Sequence, residues 1–481
     1  MMVLAWAHPA EAAEVGGYLR VMTRPDFEGG DGRLGYWNLY GRLLNEGPYA
    51  ALELRQAVLE PHPGSTDVWS DLHAKLEGGS IQSADGGGGN LANFRLSQVY
   101  AQAGNVALEN VTWRVGTLES NFGDLGLYDM RPTQLLTDTL GVSARYQTGL
   151  IDLTVGAGDA GYSIHGTNYN TVFSGGGALR MRVGKHVELG VGGQAYYEPA
   201  VQGNRNAPYD TPGITNETWR NGTVVEHWLD DHPNQESDFP DPMAIDARSY
   251  KAVAYVGAGD AGPIRWNGLY ASWTRHHPQG PTTETVDGTA YTLYVTSLTD
   301  ERDELLVGDE LQLSVVPDRL DVSLAGLYGN ATDADNDIAP SNDDRTYYSG
   351  VLRAQVYLVP TVHLLAETSL AQEISHNGNA YRNHYDSLFE NTDGQPDPEG
   401  LETGDSAERQ TWQGKIGVVL NPTGPGIYTR PSLRLLYGVQ YSTQNNAFGN
   451  SFVETLDEFN SFGNVERHWH NVVALEAEAW F

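Results

Sequence analysis

The chain has 481 residues, with 62 acidic and 29 basic side chains and a formal net charge of −33 at pH 7. A surface this negative repels nucleic-acid phosphates, so DNA and RNA are excluded as partners. The sequence contains no cysteine, which excludes disulfides, thiol nucleophiles, iron–sulfur clusters and cysteine-bound zinc.

The amino terminus, MMVLAWAHPAEAAEV, has a short apolar run followed by Ala10-Glu11-Ala12. This fits the small-x-small pattern that precedes cleavage of an export signal, although the basic residues that open such a signal are missing. We interpret residues 1–13 as the remnant of an export signal, with an unstructured tail as the alternative. Residues 14–481 are expected to form one domain.

Many segments of that domain alternate between apolar and polar residues with the period of a β-strand. The last residues, HNVVALEAEAWF, place Val473, Leu475 and Phe481 on one face and Glu476 and Glu478 on the other. The same alternation occurs, in chain order, in VTWRVGTL (111–118), GDELQLSVV (308–316), LDVSLAGLY (320–328), TVHLLAETSL (361–370) and PSLRLLYGVQYS (431–442). No stretch has the roughly 18 consecutive apolar residues of a membrane-spanning helix.

Connections between these segments alternate in length. Tight turns of Pro, Gly and Asn, such as GKH (184–186), VPDR (316–319) and VPT (359–361), are followed by long stretches rich in Asp, Asn and Gly, such as 198–247 and 374–408. Barrels of the bacterial outer membrane have this asymmetry, with short periplasmic turns and long outer loops. We therefore predict an all-β fold, a transmembrane antiparallel barrel of about 18 strands.

The heptapeptide VGAGDAG occurs at 155–161 and again at 256–262, and contains the G-x-G-x-x-G pattern of dinucleotide-binding loops. Such a loop opens a helix, and an acidic residue follows about 20 positions later. Neither copy is followed by a helical period. We interpret both as strand ends that enter a turn or loop, and we predict no nucleotide, cofactor or enzymatic activity.

Four segments resemble the maltoporin-type sugar porins: GGYLRV (16–21), RLLNEGPYAALEL (42–54), FRLSQVYAQAGNVALENVTWRVG (94–116) and YTRPSLRLLYGVQY (428–441). The resemblance implies a homotrimer in outer-membrane lipid that threads oligosaccharides along a file of aromatic rings. It also implies an inward-folded third loop, around 116–135 here.

Carried over to this sequence, the resemblance implies a solute path with aromatic and polar members. The aromatic members are Tyr18, Tyr49, Tyr428 and Trp480. The polar track and constriction comprise Arg20, Arg42, Asp124, Tyr128, Asp129, Arg430, Glu476 and Glu478.

The third loop departs from that family, because Thr117 and Leu118 stand where the family has a Lys-Arg pair. With basic groups lost and acids such as Asp124 and Glu476 retained, the sequence predicts a negative lumen and a preference for cations.

A weak calcium candidate occurs at Asp333, Asp335 and Asp337 in DADND, but Ile338 occupies the position that needs glycine in a calcium loop. Surface solvation is the plainer interpretation of these acids.

The sequence therefore predicts a porin for small polar solutes, with oligosaccharides as the expected class. One alternative is a general, cation-leaning porin without a saccharide site. The other, from a different class, is a secreted β-rich module that binds carbohydrate or mediates adhesion.

Overall fold

A computed structural model of the chain describes residues 13–25, 34–35, 38–60, 66–79, 94–165, 171–199, 247–277, 282–286, 289–293, 302–333, 345–375, 408–443 and 468–481. The short helices are a 3-10 turn at Asn38–Tyr40 and α1 at Gly161–His165. The strands are Glu14–Thr23 (β1), Tyr49–Leu59 (β2), Trp69–Gly79 (β3), Phe94–Gly104 (β4), Val111–Thr117 (β5), Leu140–Gln147 (β6), Ile151–Asp159 (β7), Phe173–Val183 (β8), Val187–Glu198 (β9), Ala247–Ala261 (β10), Ile264–His277 (β11), Thr282–Val286 (β12), Thr289–Leu293 (β13), Arg302–Val316 (β14), Leu320–Asp333 (β15), Arg345–Val359 (β16), Val362–Ser375 (β17), Glu408–Leu420 (β18), Ser432–Ser442 (β19) and Trp469–Trp480 (β20).

The strands form an 18-stranded sheet, and β12 and β13 form a separate hairpin. Each strand of the large sheet pairs antiparallel with the sheet strands before and after it in the chain, so that β11 pairs with β14 across the β12–β13 hairpin, and β1 pairs with β20 as well as with β2. The sheet therefore closes on itself and has no free edge. This confirms the predicted antiparallel barrel of about 18 strands.

The connections alternate in length around the barrel, as the sequence predicts. Short turns at 148–150, 184–186, 262–263 and 317–319 lie at one end of the barrel, and the longer connection 118–139 begins and ends at the other. Residues 1–12, which include most of the proposed export remnant, and Asp335 and Asp337 of the calcium candidate lie outside the described residues.

Successive side chains point alternately into the lumen and away from it. On β20, His470, Val472, Ala474, Glu476 and Glu478 are buried in the lumen. The outward face of the same strand carries Val473, Leu475 and, just beyond the strand, Phe481, which are exposed. β19 alternates in the same way, with Arg434 inward and Leu433, Leu435 and Tyr437 outward.

The two VGAGDAG copies serve different turns. Residues 256–262 end β10 and enter the two-residue turn to β11, where Gly262 has a φ of +62°. Residues 155–161 end β7, and the Asp159 carboxylate accepts hydrogen bonds from the backbone N–H groups of Gly161 (2.8 Å) and Val172 (3.1 Å). The helical turn α1 follows this copy, which the sequence does not predict, but the Asp159 carboxylate occupies its first amide.

Two connecting segments lie inside the barrel. Segment 38–48 places Leu39, Leu43 and Leu44, all buried, against the inward faces of β15 to β20. Segment 118–139 buries Leu118, Phe122, Leu125, Leu127, Tyr128, Leu135 and Leu136, mainly against β8 to β16. Each of these side chains contributes about 1.5–3 kcal/mol by leaving water.

Candidate functional site

Three of the four predicted aromatic residues lie together. The ring of Tyr18 is 4.6 Å from that of Trp480 and 5.6 Å from that of Tyr49, measured between centroids. Tyr18 and Tyr49 are only 8% and 6% exposed, whereas Trp480 is 64% exposed at the end of β20. Only Trp480 therefore offers a solvent-accessible ring face to a solute.

The hydroxyls of the two buried tyrosines are bound to carboxylates. Tyr18 donates to Glu478 (2.5 Å), and Tyr49 donates to Glu77 (3.0 Å). Tyr428 lies apart from this group. It donates a hydrogen bond to Glu310 on β14, and its ring lies against Gly126.

Arg20 and Arg42 join segment 38–48 to the barrel wall. Arg20 bonds to the Glu46 carboxylate and, at 3.0 Å, to the Gly47 carbonyl. Arg42 lies 3.2 Å from Glu46 and 3.0 Å from Glu478. Arg20 also lies 3.6 Å from Asp129 of segment 118–139, so these contacts connect both inward segments to β1 and β20.

The two glutamates of β20 are each held by more than one guanidinium. Glu478 lies 2.7 Å from Arg430 and 2.6 Å from Arg434. Glu476 lies 2.8 Å from Arg24 and 3.8 Å from Arg434. Because all these side chains are nearly buried, each carboxylate depends on its guanidinium partners to offset the cost of desolvation.

Glu46 and Asp129 share the same arginines and are hydrogen-bonded to each other. Burial raises the pKa of Glu46 to about 8, against the opposing effects of Arg20 and Arg42. Burial acts on Asp129 in the same direction, but Arg42, the hydrogen bond from Glu46 and Arg20 outweigh it and lower the pKa of Asp129 to about 2. The proton that the two carboxyl groups share is therefore held on Glu46 and not on Asp129.

Arg430 remains a cation at neutral pH. Burial lowers the pKa of Arg430 to about 10, because the attraction of Glu478 offsets only part of the desolvation and Arg434 and Arg42 act in the same direction as burial.

The tip of segment 118–139 is fixed by one carboxylate of the wall. Glu310 is fully buried and accepts a hydrogen bond from the backbone N–H of Leu127 at 2.9 Å, besides the bond from Tyr428. Tyr128 donates to Ser349 on β16 at 3.2 Å. Burial raises the pKa of Tyr128 and also that of Tyr428, so both phenols stay neutral.

The base of segment 118–139, on both sides of the tip, is held by β8 and β9. Arg180 donates to the carbonyls of Asn121 (3.1 Å) and Phe122 (2.8 Å), and Gln194 accepts from the backbone N–H of Leu136 at 2.8 Å. Asp124 is half-exposed and lies 3.5 Å from Arg131 of the same segment.

Cavities remain on both sides of segment 118–139. One of about 370 Å³ is lined by Arg131, Lys251, Glu304 and Arg345. Another of about 410 Å³ lies toward the short-turn end and is lined by Trp69, Arg114, Glu119, Arg145 and Arg180. The inward segments thus narrow the lumen but leave polar space above and below them.

The four acids that predict a negative lumen all lie beside arginines: Asp124, Asp129, Glu476 and Glu478. Each of these four carboxylates therefore has a positive neighbour, and the negative lumen with its preference for cations stays a prediction. Three further charged residues of the site, Glu46, Glu310 and Arg114, are not predicted from the sequence. In the sequence, Glu46 is marked only by its place in the 42–54 segment. Glu310 and Arg114 are marked only by their place on the polar face of an alternating segment.

The outward face of the barrel is a broad apolar surface. Valines, leucines and aromatic residues occupy the outward positions of successive strands, for example Val155, Leu269, Leu324, Leu370 and Ile416, all exposed. A closed barrel with polar residues inside and an exposed apolar band outside matches a bilayer as its solvent. The chain is an outer-membrane β-barrel. A secreted soluble module is thereby ruled out, because such a module would expose this apolar band to water.

No helix among the described residues is long and apolar enough to cross a membrane. Within the same residues, no group of His, Asp and Glu has an arrangement suited to a metal ion.

No protein-family model matches the chain, and no curated protein matches it. Solved outer-membrane proteins are similar along the whole barrel. The outer-membrane channel DcaP of Acinetobacter baumannii is 12% identical, with a TM-score of 0.43 over 98% of this chain and 97% of that one. The outer-membrane protein OprD of Pseudomonas aeruginosa is 9% identical, with a TM-score of 0.40 over 98% and 93%. OmpT of Vibrio cholerae is 9% identical, with a TM-score of 0.38 over 99% and 100%. At these TM-scores, the fold assignment rests on the strand pairing of this chain itself.

Proposed function

We propose that the protein is a porin that passes small polar solutes, including oligosaccharides, by diffusion through its lumen, and that it is not an enzyme. The observation that carries the proposal is a group of charged side chains on the inward face of β3 and β4. There Lys75, Glu77 and Arg95 form a partly exposed chain of ion pairs, at 3.3 Å and 3.1 Å. Side chains that keep water contact inside a closed barrel are suited to a hydrated path.

Oligosaccharides are the favoured class because aromatic rings accompany that path. A sugar ring can stack its apolar face on an indole while polar neighbours bond its hydroxyls. Trp480 is the exposed member of the Trp480, Tyr18 and Tyr49 group, with Glu478 on the same face of β20.

The general porin without a saccharide site remains a second candidate, and the burial of Tyr18 and Tyr49 favours it. Rings that are already covered cannot stack on a solute unless the inward segments move.

Liposome swelling with the purified protein separates these functions. We expect swelling with linear maltodextrins to exceed that with branched sugars of equal mass, and Trp480→Ala to reduce the maltodextrin rate about three- to tenfold, the effect of one stacking contact. Trp469→Ala is the matched control, since Trp469 lies on the outward face of the same strand and is also exposed. Equal rates for Trp480→Ala and Trp469→Ala would leave the general porin, and no swelling with any sugar would reject diffusion itself.

The homotrimer is also a proposal. Asn267 and Asp309 face outward on β11 and β14 and are hydrogen-bonded at 2.9 Å, among apolar outward neighbours such as Leu269 and Leu305. A carboxylate is unfavourable against lipid, so a protein neighbour suits this position better. The mass of the detergent-solubilised particle tests the proposal, and a monomer would refute it.

A further inference from the structure

The cavity at the short-turn end contains a guanidinium that has no anionic partner among the described residues. Arg114 of β5 lines this cavity of about 410 Å³, together with Trp69, Thr112, Ser120 and Ser143. Its volume lies within the range of about 300–1,000 Å³ that is usual for small-molecule sites.

Stacking fixes the position of Arg114. Its guanidinium carbon lies 4.0 Å from the centroid of the Tyr100 ring, and that ring is stacked on His73 at 4.6 Å with an interplanar angle of 14°. A guanidinium held by its face keeps its N–H donors at the edge free for hydrogen bonds. Among the residues that the structure describes, the recorded contact of Arg114 is this stacking on Tyr100, and none accepts a hydrogen bond from Arg114 or forms an ion pair with it.

The other arginines of this cavity are already engaged. Arg145 forms paired hydrogen bonds with Asp152 at 2.7 Å and 2.5 Å. Arg180 donates to segment 118–139 and lies 3.8 Å from Glu188. Glu119, the remaining acid of the lining, accepts from Gln98 at 2.8 Å. Within the described residues, the positive charge of Arg114 is therefore not neutralised by a carboxylate.

The rest of the lining is suited to an organic anion. Thr112 and Arg114 of β5 pair with Arg145 and Ser143 of β6, which places two hydroxyls beside the guanidinium. Trp69 lies over Gly104, where a Cβ would come within 2.0 Å of the indole nitrogen. Glycine at 104 thus provides the space that the indole occupies in the cavity wall.

We propose that this cavity is a binding subsite for carboxylate-bearing solutes, with Arg114 as the group that binds the carboxylate. A planar guanidinium with free edge donors forms two parallel hydrogen bonds to a carboxylate, the hydroxyls bond its neighbouring polar groups, and the indole covers an apolar face. The proposal rests on the proposed porin function and names one solute class for it. The class is the opposite of the cations that the sequence predicts.

Glucuronate and glucose are the test pair, because they share a ring and differ in the carboxylate. We expect liposomes with the full chain to take up glucuronate faster than glucose, and Arg114→Gln to lower the ratio of the two rates about tenfold, as expected for the loss of a charge-assisted hydrogen bond. Arg182→Gln is the matched control, since it removes the same charge at the same end of the lumen, from an arginine paired with Glu188 at 3.0 Å. Heat-modifiable mobility in gels verifies that both variants are folded.

Different outcomes identify different failures. If the ratio of glucuronate to glucose uptake falls equally in Arg114→Gln and Arg182→Gln, the effect comes from the overall electrostatic potential of the lumen. That result would overturn the subsite. Transport of glucose with no preference for glucuronate would overturn the subsite and leave the porin function standing, whereas no transport of either sugar would overturn the porin function. Inorganic phosphate should inhibit glucuronate uptake no more than chloride does, and stronger inhibition by phosphate would overturn the assignment to carboxylates.

Discussion

Replacing Glu310 by alanine should loosen the tip of segment 118–139 without unfolding the barrel. The carboxylate accepts hydrogen bonds from the backbone N–H groups of Leu127 and Gly126. At about 1.5 kcal/mol for each hydrogen bond to a charged group, their loss costs about 3 kcal/mol. The docking equilibrium of the tip should therefore shift about 100-fold toward the undocked state.

The tip should nevertheless remain docked most of the time. Leu125, Leu127 and Tyr128 are fully buried against the wall, and each contributes about 1.5–3 kcal/mol. Glu310→Ala should therefore show transient rises in single-channel current, where the unaltered protein gives a quiet trace. Glu310→Gln, which keeps an acceptor but loses the charge, should lie between the two.

Single-channel recording in planar bilayers is the assay, with Glu53→Ala as the control. Glu53 is an exposed acid of β2 that pairs across the lumen-facing ladder with Lys75. A Glu310→Ala trace with the mean current and noise of the unaltered protein would refute the view that this carboxylate holds the tip. The same noise in Glu53→Ala would attribute the effect to lost lumen charge instead.

Two further perturbations test the contacts of segment 38–48. Burial raises the pKa of Glu46 from 4.5 to about 8, so the stability that its proton provides is complete below about pH 4.5 and is lost as pH rises through 8. Current noise should therefore grow between about pH 4.5 and pH 8 and level off above that range, Glu46→Gln should abolish this pH dependence, and a pH-independent trace of the unaltered protein would contradict the assignment. Glu367→Gln should destabilise the barrel by about 3–5 kcal/mol, because Glu367 lies 2.6 Å from Arg353 and 2.8 Å from Lys415, and both cations are almost fully buried. The urea midpoint of heat-modifiable mobility measures this loss, and an unchanged midpoint would contradict it.

The fold could be predicted from the sequence because the period of a strand needs no knowledge of its partner. Alternation alone predicts that Val473, Leu475 and Phe481 lie on the outer face and that Glu476 and Glu478 lie on the inner one. The structure confirms both faces. The alternation of short and long connections likewise gives the antiparallel order, since a two-residue turn such as 262–263 can join only adjacent antiparallel strands.

The site could be predicted only in part, because the period gives the face of a side chain and not its partner. Glu478 and Arg42 are 3.0 Å apart but far apart in the chain, and the same holds for Tyr428 and Glu310. Neither segment contains a sequence pattern that indicates which distant residue it contacts. The negative lumen stays a prediction, because it counted the acids of the inner face without the arginines that closure brings to them.

Net charge is a poor guide to the lumen for the same reason. A chain with 62 acids and 29 bases could neutralise every arginine if pairing depended on number alone. Instead Arg20, Arg42, Arg430 and Arg434 lie around a few glutamates, while Arg114 contacts the face of Tyr100. Among the described residues no carboxylate pairs with Arg114, although the chain is strongly acidic. A half-buried guanidinium that lines a cavity can form charge-assisted hydrogen bonds, so a solute carboxylate would supply the anionic partner.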